Sequence, residues 1–265
     1  MRWYRTSKGV QGVLLVLLGI FSAAPVVWIF VNSLESGVTY SVENILIFLK
    51  RYLSLEQYDK IMFHDLEYWA AYCNTLLLTA PILVIAVGIT STAAYGLTII
   101  QKNLREKMLL VYVILSLLPM QVLLVPQLIM LSKLQLTGTR IAVILVASFS
   151  PWYVFFLHRL CRGIPEETFE MARVEGAGEW KIFWKIALPQ MRFGIMIFSI
   201  IIIADLWGMV EEPLVYIQDI SKYPLSVLFH ETGTEISYAG IVLFAVPVVA
   251  LFLKGIRNVM EGEER

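Results

Sequence analysis

The chain has 265 residues, 58% of them hydrophobic and only 16% charged, with 21 basic residues balancing 21 acidic ones. Its mean hydropathy is +0.72. A soluble globular domain carries about a quarter of its residues as charges, so this composition excludes an ordinary soluble enzyme and predicts an all-α integral membrane protein.

Five stretches lack Asp, Glu, Lys and Arg altogether: residues 9–34, 68–101, 108–132, 141–158 and 236–253. Each comes near to or exceeds the ~20 apolar residues with which a helix crosses ~30 Å of hydrocarbon. A sixth apolar stretch, residues 193–217, is broken by Asp205, Glu211 and Glu212. Six transmembrane helices are expected. The first follows Arg2, Arg5 and Lys8, and Ser22-Ala23-Ala24 resembles a cleavage site. It nevertheless runs on through Trp28, Ile29 and Phe30. That exceeds the roughly 7–15 apolar residues of a secretory signal, so a retained helix is expected. Pro25, Pro81, Pro119, Pro126 and Pro151 interrupt several of these stretches. Membrane helices tolerate such breaks when neighbours satisfy the freed carbonyls.

Between the first two spans, Ile45, Leu46, Phe48, Leu49, Tyr52 and Leu53 recur at helical spacing beside Lys50 and Arg51. That pattern predicts a short amphipathic helix at the membrane interface. The connection at residues 211–235 is acidic, with Glu211, Glu212, Asp219, Glu231 and Glu235 against one basic residue, Lys222. No change of composition marks a second soluble domain, so residues 1–265 are expected to form one transmembrane domain.

A charged island within the apolar region is residues 165–189, PEETFEMARVEGAGEWKIFWKIALP. Pro165 suits the first turn of a helix, where a missing N–H costs nothing. Glu166 and Glu167 then sit at the positive end of the helix dipole. Gly176 can end the helix in the left-handed conformation of a C-terminal cap. A second short helix is expected from Glu179, with Trp180, Phe183, Trp184 and Ala187 on one apolar face. The result is a helix–turn–helix at the membrane surface. Its Trp/Phe face, rimmed by Lys181 and Lys185, has the composition of a protein interface, and equally that of aromatic anchors among lipid headgroups.

Lys and Arg counts set the orientation. With the N-terminus inside, the inner segments carry 15 basic residues and the outer loops 6. Both termini and the loop at 161–192 are therefore expected in the cytoplasm. Cys73 and Cys161 then lie on opposite sides and cannot form a disulfide.

No G-x-x-x-x-G-K-[ST] is present, so ATP cannot be held by that loop, and no catalytic serine or zinc-protease motif occurs. His64, His158 and His230 make no metal set, and no cofactor is expected. A membrane helix with an acid is a functional hypothesis by default, which singles out Asp205. Asn74 and Gln121 can face a cavity, and Trp207 can stack on a sugar ring or join an interfacial aromatic belt.

Glu170-x-Ala172-x-x-Glu175-Gly176-Ala177, followed by Phe183, Ile186 and Leu188-Pro189, resembles the EAA loop of binding-protein-dependent ABC importer permeases. Met171 stands where the family has its second alanine, and Glu175 where aspartate is commoner. The resemblance extends along most of the chain and is closest to the carbohydrate, maltose-permease branch. It is carried by Asn74-Thr75-Leu76, by Leu118-Pro119-Met120-Gln121 with Pro126, Leu136 and Thr139, and by Trp207, Pro213 and Tyr223-Pro224-Leu225. Gly208 and Met209 replace the family's usual Asn and acid.

The resemblance implies the fold of a type I ABC importer, with a coupling helix inside the 161–192 loop that docks on a separate ATPase. It assigns Glu170, Ala172, Glu175, Gly176, Ala177, Phe183, Leu188 and Pro189 to ATPase coupling. Asn74, Gln121, Asp205 and Trp207 remain the candidates for the substrate pathway. The implied partners are a pair of ABC ATPase subunits, a second homologous permease subunit, an extracytoplasmic solute-binding protein and membrane lipid; nucleic acid is not among them. The chain itself is expected to be a permease subunit rather than an enzyme. Two alternatives stay open on the residues: an ABC permease for a non-sugar solute, and an ion-coupled secondary carrier.

Overall fold

The computed structural model describes residues 2–35, 53–231 and 237–263, and every regular element among them is a helix. In chain order these are α1 (Arg2–Ser33), α2 (Glu56–His64), α3 (Leu66–Ile99), α4 (Lys102–Ser116), α5 (Met120–Lys133), α6 (Arg140–Ala147) and α7 (Pro151–Cys161). They continue with α8 (Glu166–Val174), α9 (Glu179–Gln190), α10 (Arg192–Trp207), α11 (Glu211–Tyr216), α12 (Leu225–Glu231) and α13 (Tyr238–Glu263).

Helices α1, α3 and α13 are each long and apolar enough to cross a bilayer unaided. The other expected spans are not straight rods. Residues 108–132 divide between α4 and α5 with a bend of 97°, and residues 141–158 between α6 and α7 with a bend of 42°. Both breaks fall at a proline. Pro119 caps α5 in an extended conformation, and Pro151 opens α7. Each removes a backbone donor and pushes the preceding residue out of helical geometry. Pro25, Pro81, Pro126 and Pro247 by contrast stay inside α1, α3, α5 and α13. A third bend, 73°, separates α9 from α10 at Met191, because α9 runs through Pro189 instead of stopping there. The amphipathic pattern at Ile45, Leu46, Phe48, Leu49 and Tyr52 lies outside the described residues. The described part of that connection holds α2, which no pattern had singled out.

The chain groups into two compact units, Met1–Trp69 with Gly233–Pro247 and Ala70–Thr232 with Val248–Arg265. In the first, Gln57 on α2 is the organising side chain. Its Nε2 donates to the carbonyls of Asn32 (2.9 Å) and Glu35 (2.8 Å), and its Oε1 accepts from the Ser237 hydroxyl at 2.8 Å. The Tyr68 hydroxyl donates to the carbonyl of Gly240 at 2.9 Å, tying the start of α3 to that of α13. The Ser33 and Tyr58 hydroxyls share a hydrogen bond of 2.7 Å. From Gly12 to Val31, α1 buries no side chain in the protein.

The second unit holds the main core, with Leu78 and Ile82 of α3, Leu157 of α7, Phe169 of α8, Ile182 of α9 and Phe198 and Ile202 of α10 all buried. Glycine brings α10 close to its neighbours. A Cβ at Gly194 would overlap Cδ1 of Leu160 on α7, and one at Gly255 on α13 would overlap Cδ1 of Ile200 on α10. Small residues at such crossings let membrane helices approach at backbone distance.

Candidate functional site

Helix α8 starts at Glu166, one residue later than expected; Pro165 is its N-cap, and its carbonyl accepts from Thr168 N at 3.1 Å. The helix ends as the glycine predicts. Gly176 has φ +83°, its N–H donates to Arg173 O at 2.9 Å, and Ala177 N donates to Ala172 O at 3.0 Å. This pair of 5→2 and 6→1 bonds is a Schellman cap. It turns the chain sharply into α9.

The two faces of α8 differ. Phe169 and Ala172 are buried, three residues apart, whereas Glu170, Glu175 and Gly176 are exposed. Between these acids stand Met171 and Val174, 66% and 88% exposed. The outward face is thus apolar at its centre and acidic around it. Of the residues assigned to coupling, Ala172 and Phe183 point into the core, Ala177 and Leu188 are half-buried, and Glu170, Glu175, Gly176 and Pro189 face outward.

Glu179 fixes this loop to the membrane helices. Its Oε1 accepts from Arg173 Nε at 2.8 Å, and its Oε2 accepts from the Tyr95 hydroxyl at 2.6 Å. One carboxylate therefore joins the end of α8, the start of α9 and the last turns of α3. The Arg173 guanidinium, followed by the Tyr95 hydroxyl, holds the Glu179 carboxyl below the usual carboxylate range. The Tyr95 ring sits 5.8 Å from Phe169 and 5.5 Å from Phe183, centroid to centroid. Sequence reasoning missed Tyr95 and Arg173 in this role. Tyr95 lies 84 residues from its partner, and no local pattern announces the pair.

Helix α9 keeps Trp180, Phe183 and Trp184 on one apolar face, with the Phe183 ring 6.1 Å from Trp180 and 5.4 Å from Trp184. Ile182, Phe183 and Ala187 are buried, but Trp180 and Trp184 are 68% and 58% exposed. A π-helical turn follows at Phe183–Ala187, where Leu188 N donates to Phe183 O, five residues back. Pro189 has no N–H for the carbonyl of Lys185, so the regular ladder fails at this point. The two tryptophans stand at the exposed edge of the buried row. With Leu83, Val84, Val87 and Ile89 of α3 they line an apolar recess of about 740 Å³.

At the other end of the second unit, two motifs read separately are bonded together. Asn74 Nδ2 donates to the carbonyls of Ser221 (2.9 Å) and Tyr223 (3.0 Å), and its Oδ1 accepts from Arg140. Thr75 Oγ1 accepts from Leu225 N at 3.0 Å. Asn74 and Thr75 thereby latch the 221–225 connection onto α3. Asp219 caps the turn before it. The Ser221 hydroxyl, Lys222 and the Ser221 N–H draw its carboxyl down to about 2. Trp207 is buried and meets Tyr72 edge-on at 5.7 Å. Asp205 and Gln121 are exposed, and Gln121 Nε2 donates to the Glu211 carboxylate at 3.2 Å. The four pathway candidates thus separate into two committed to packing and two left open.

Residues 66–256 match the family of binding-protein-dependent transport system inner membrane components. The chain belongs to that family. It is 30% identical over 226 residues to the arabinooligosaccharides transport system permease protein AraQ of Halalkalibacterium halodurans, covering 83% of this chain and 79% of that one. It is 25% identical over 260 residues to the diacetylchitobiose uptake system permease protein NgcG of Streptomyces coelicolor, covering 94% and 84%. A bacterial ABC transporter involved in the import of the acidic polysaccharide alginate superposes with a TM-score of 0.82 at 19% identity, over 97% of this chain and 98% of that one. That likeness shows the fold: a mostly helical permease of the type I importer class. The chain is a membrane-embedded, multi-pass permease component and not an enzyme, with ATP hydrolysis on a separate subunit.

Proposed function

We propose that this permease carries sugars or oligosaccharides through a pore shared with a second, homologous permease subunit, receiving them from an extracytoplasmic binding protein. Several relatives are named for such cargo, among them arabinooligosaccharides, diacetylchitobiose and lactose. Residues 1–265 form one permease domain in which α1, α3, the bent pairs α4–α5 and α6–α7, α10 and α13 each make one crossing, giving six. The 161–192 loop and both termini lie in the cytoplasm, as the excess of basic residues on that side requires.

The carrying observation is the form of α8. It is a short helix with an outward face of Glu170, Met171, Val174 and Glu175, closed by Gly176 and clamped through Arg173 and Glu179 to α3. A rigid body of this kind passes a push from a partner into the membrane helices. We assign α8 as the coupling helix, with Glu170, Glu175, Gly176 and Pro189 toward the ATPase and Ala172, Ala177, Phe183 and Leu188 as its seat.

For the pathway, Asp205 and Gln121 are the candidates that meet solute. An exposed acid on a membrane helix is costly unless it faces water, a partner or substrate. Asn74 and Trp207 shape the wall behind them.

Purification of the chain with an ABC ATPase and reconstituted uptake test the reading. Gly176→Pro and Glu170→Lys should insert normally and abolish uptake. Normal substrate-stimulated ATP hydrolysis in both variants would overturn the coupling assignment.

A further inference from the structure

Behind the coupling helix, on the side away from its docking face, lies a second cavity of about 260 Å³. Thr98 from the last turn of α3, Arg105 from the first turns of α4, and Cys161 and Arg162 at the end of α7 line it on one side. Glu166, Phe169 and Arg173 of α8 line the other. Cys161 and Phe169 are buried and make an apolar floor. Three arginines against one glutamate leave the lining with a net charge of +2.

This charge is not neutralised from within. Among the described residues neither Arg105 nor Arg162 forms an ion pair, and Arg173 engages Glu179 through Nε alone. A guanidinium has five N–H donors in a planar fork, so Arg173, although it also engages the Tyr95 hydroxyl, has donors left for the cavity it lines. Like charges brought together around a partly enclosed space repel one another more than they would in open water. An anion among them reverses the sign of that term. The volume is below the ~300 Å³ at which drug-sized ligand pockets begin, which suits a single small anionic group. Guanidinium forks match the oxygens of phosphate in pairs.

We infer that this cavity binds a phosphate group, supplied either by a free phosphate or by the headgroup of an anionic phospholipid. Bound there, the phosphate bridges α4, the end of α7 and α8, and braces the coupling helix from behind. The binding stands on the cavity alone. Its consequence for transport rests on the coupling role proposed for α8.

The test uses the full chain in phosphatidylcholine nanodiscs, reading the midpoint of thermal unfolding. In the first arm, inorganic phosphate is titrated at ionic strength held constant with chloride. In the second, the buffer is phosphate-free and the nanodiscs contain phosphatidylglycerol. A saturable rise in either arm supports the site, and the arm that responds names the source. Arg105→Gln with Arg162→Gln should weaken half-saturation by about tenfold for each charge-assisted bond lost. Arg105→Lys with Arg162→Lys should recover part of it. Glu166→Gln, which removes the one opposing charge, should tighten it severalfold whether or not the double variant folds. No rise in either arm, an equal rise in the Gln double variant, or an unchanged response in Glu166→Gln would overturn the proposal. Since no ATPase is present, this outcome is independent of the test of coupling.

Discussion

At the scale of single residues, two positions hold the 161–192 loop in shape. Gly176 turns the chain at φ +83°, where an L-residue costs roughly 1–2 kcal/mol. Nothing lies within 4 Å of a Cβ built there, so the cost is conformational and not steric. Gly176→Ala should lower the unfolding free energy by about 1 kcal/mol, measured by denaturant titration in detergent. Gly176→Asn, which tolerates this region better, should recover part of that loss. The Glu179 carboxylate is the second position. Its side chain is 43% exposed, so solvent discounts the ion pair with Arg173 to about 0–1 kcal/mol. Tyr95→Phe removes one further bond, worth about 0.5–1.5 kcal/mol. Arg173, and after it Tyr95, depress the folded carboxyl value. The stabilisation is therefore complete above the ordinary carboxylate value near 4.3 and is lost as pH falls through the depressed one. Unfolding midpoints of the protein and of Tyr95→Phe should keep a constant gap from pH 6 to 8, and the gap should close below about pH 4. A gap that widened toward acid would contradict the assignment.

At the scale of elements, α8 was the most legible part of the chain because its signals are local. Acids at its start, a small residue on its buried side and a glycine at its end all act within one or two turns. Helix α9 was less legible. Its i, i+3, i+4 pattern placed Trp180 and Trp184 beside Phe183, where the rings do meet, but nothing in the pattern announced the π turn before Pro189. The α4–α5 and α6–α7 bends were half legible: Pro119 and Pro151 marked their places, but Pro25, Pro81 and Pro126 look alike in sequence and leave their helices intact. Whether a proline ends a helix depends on the tertiary partners of the freed carbonyl, which a local window does not contain. The clamp of Tyr95 on Glu179, and the latch of Asn74 on the 221–225 connection, were illegible for the same reason. The outward face of α8 carries its own prediction. Val174 is almost fully exposed and Met171 stands where the related loop has alanine, so both offer apolar contact to a partner. Val174→Glu should leave the stability of the isolated chain within about 0.5 kcal/mol. In the assembled transporter it should cut transport-coupled ATP hydrolysis by tenfold or more, as burial of an unpaired charge at an interface does. Unchanged coupled hydrolysis would place the ATPase elsewhere.

At the scale of the whole molecule, the arrangement makes sense only with a defined sidedness. The docking face proposed for α8 has a use where ATP is, and the acidic 211–222 connection has a use where solute arrives. The proposed orientation rests on the basic residues, 15 against 6, because lysine and arginine near the ends of spans are retained on the inner side. Two exposed positions report the outcome. Val174 lies on the outward face of α8, and Ile220 is 72% exposed in the acidic connection. Of the native cysteines Cys73 is exposed and Cys161 buried, so Cys73→Ser gives a background of low reactivity. In that background Ile220→Cys should react with a membrane-impermeant maleimide on intact cells, and Val174→Cys should react only after the membrane is opened. Reaction of Val174→Cys on intact cells would invert the topology and remove α8 from the reach of any ATPase. Reaction of both would mean that the connection between α7 and α10 does not return to the inner side, which the bent-pair account of six crossings cannot accommodate. The labelling therefore tests the span count and the sidedness together, and both must hold for one helix of nine residues to carry the force of ATP hydrolysis into the pore.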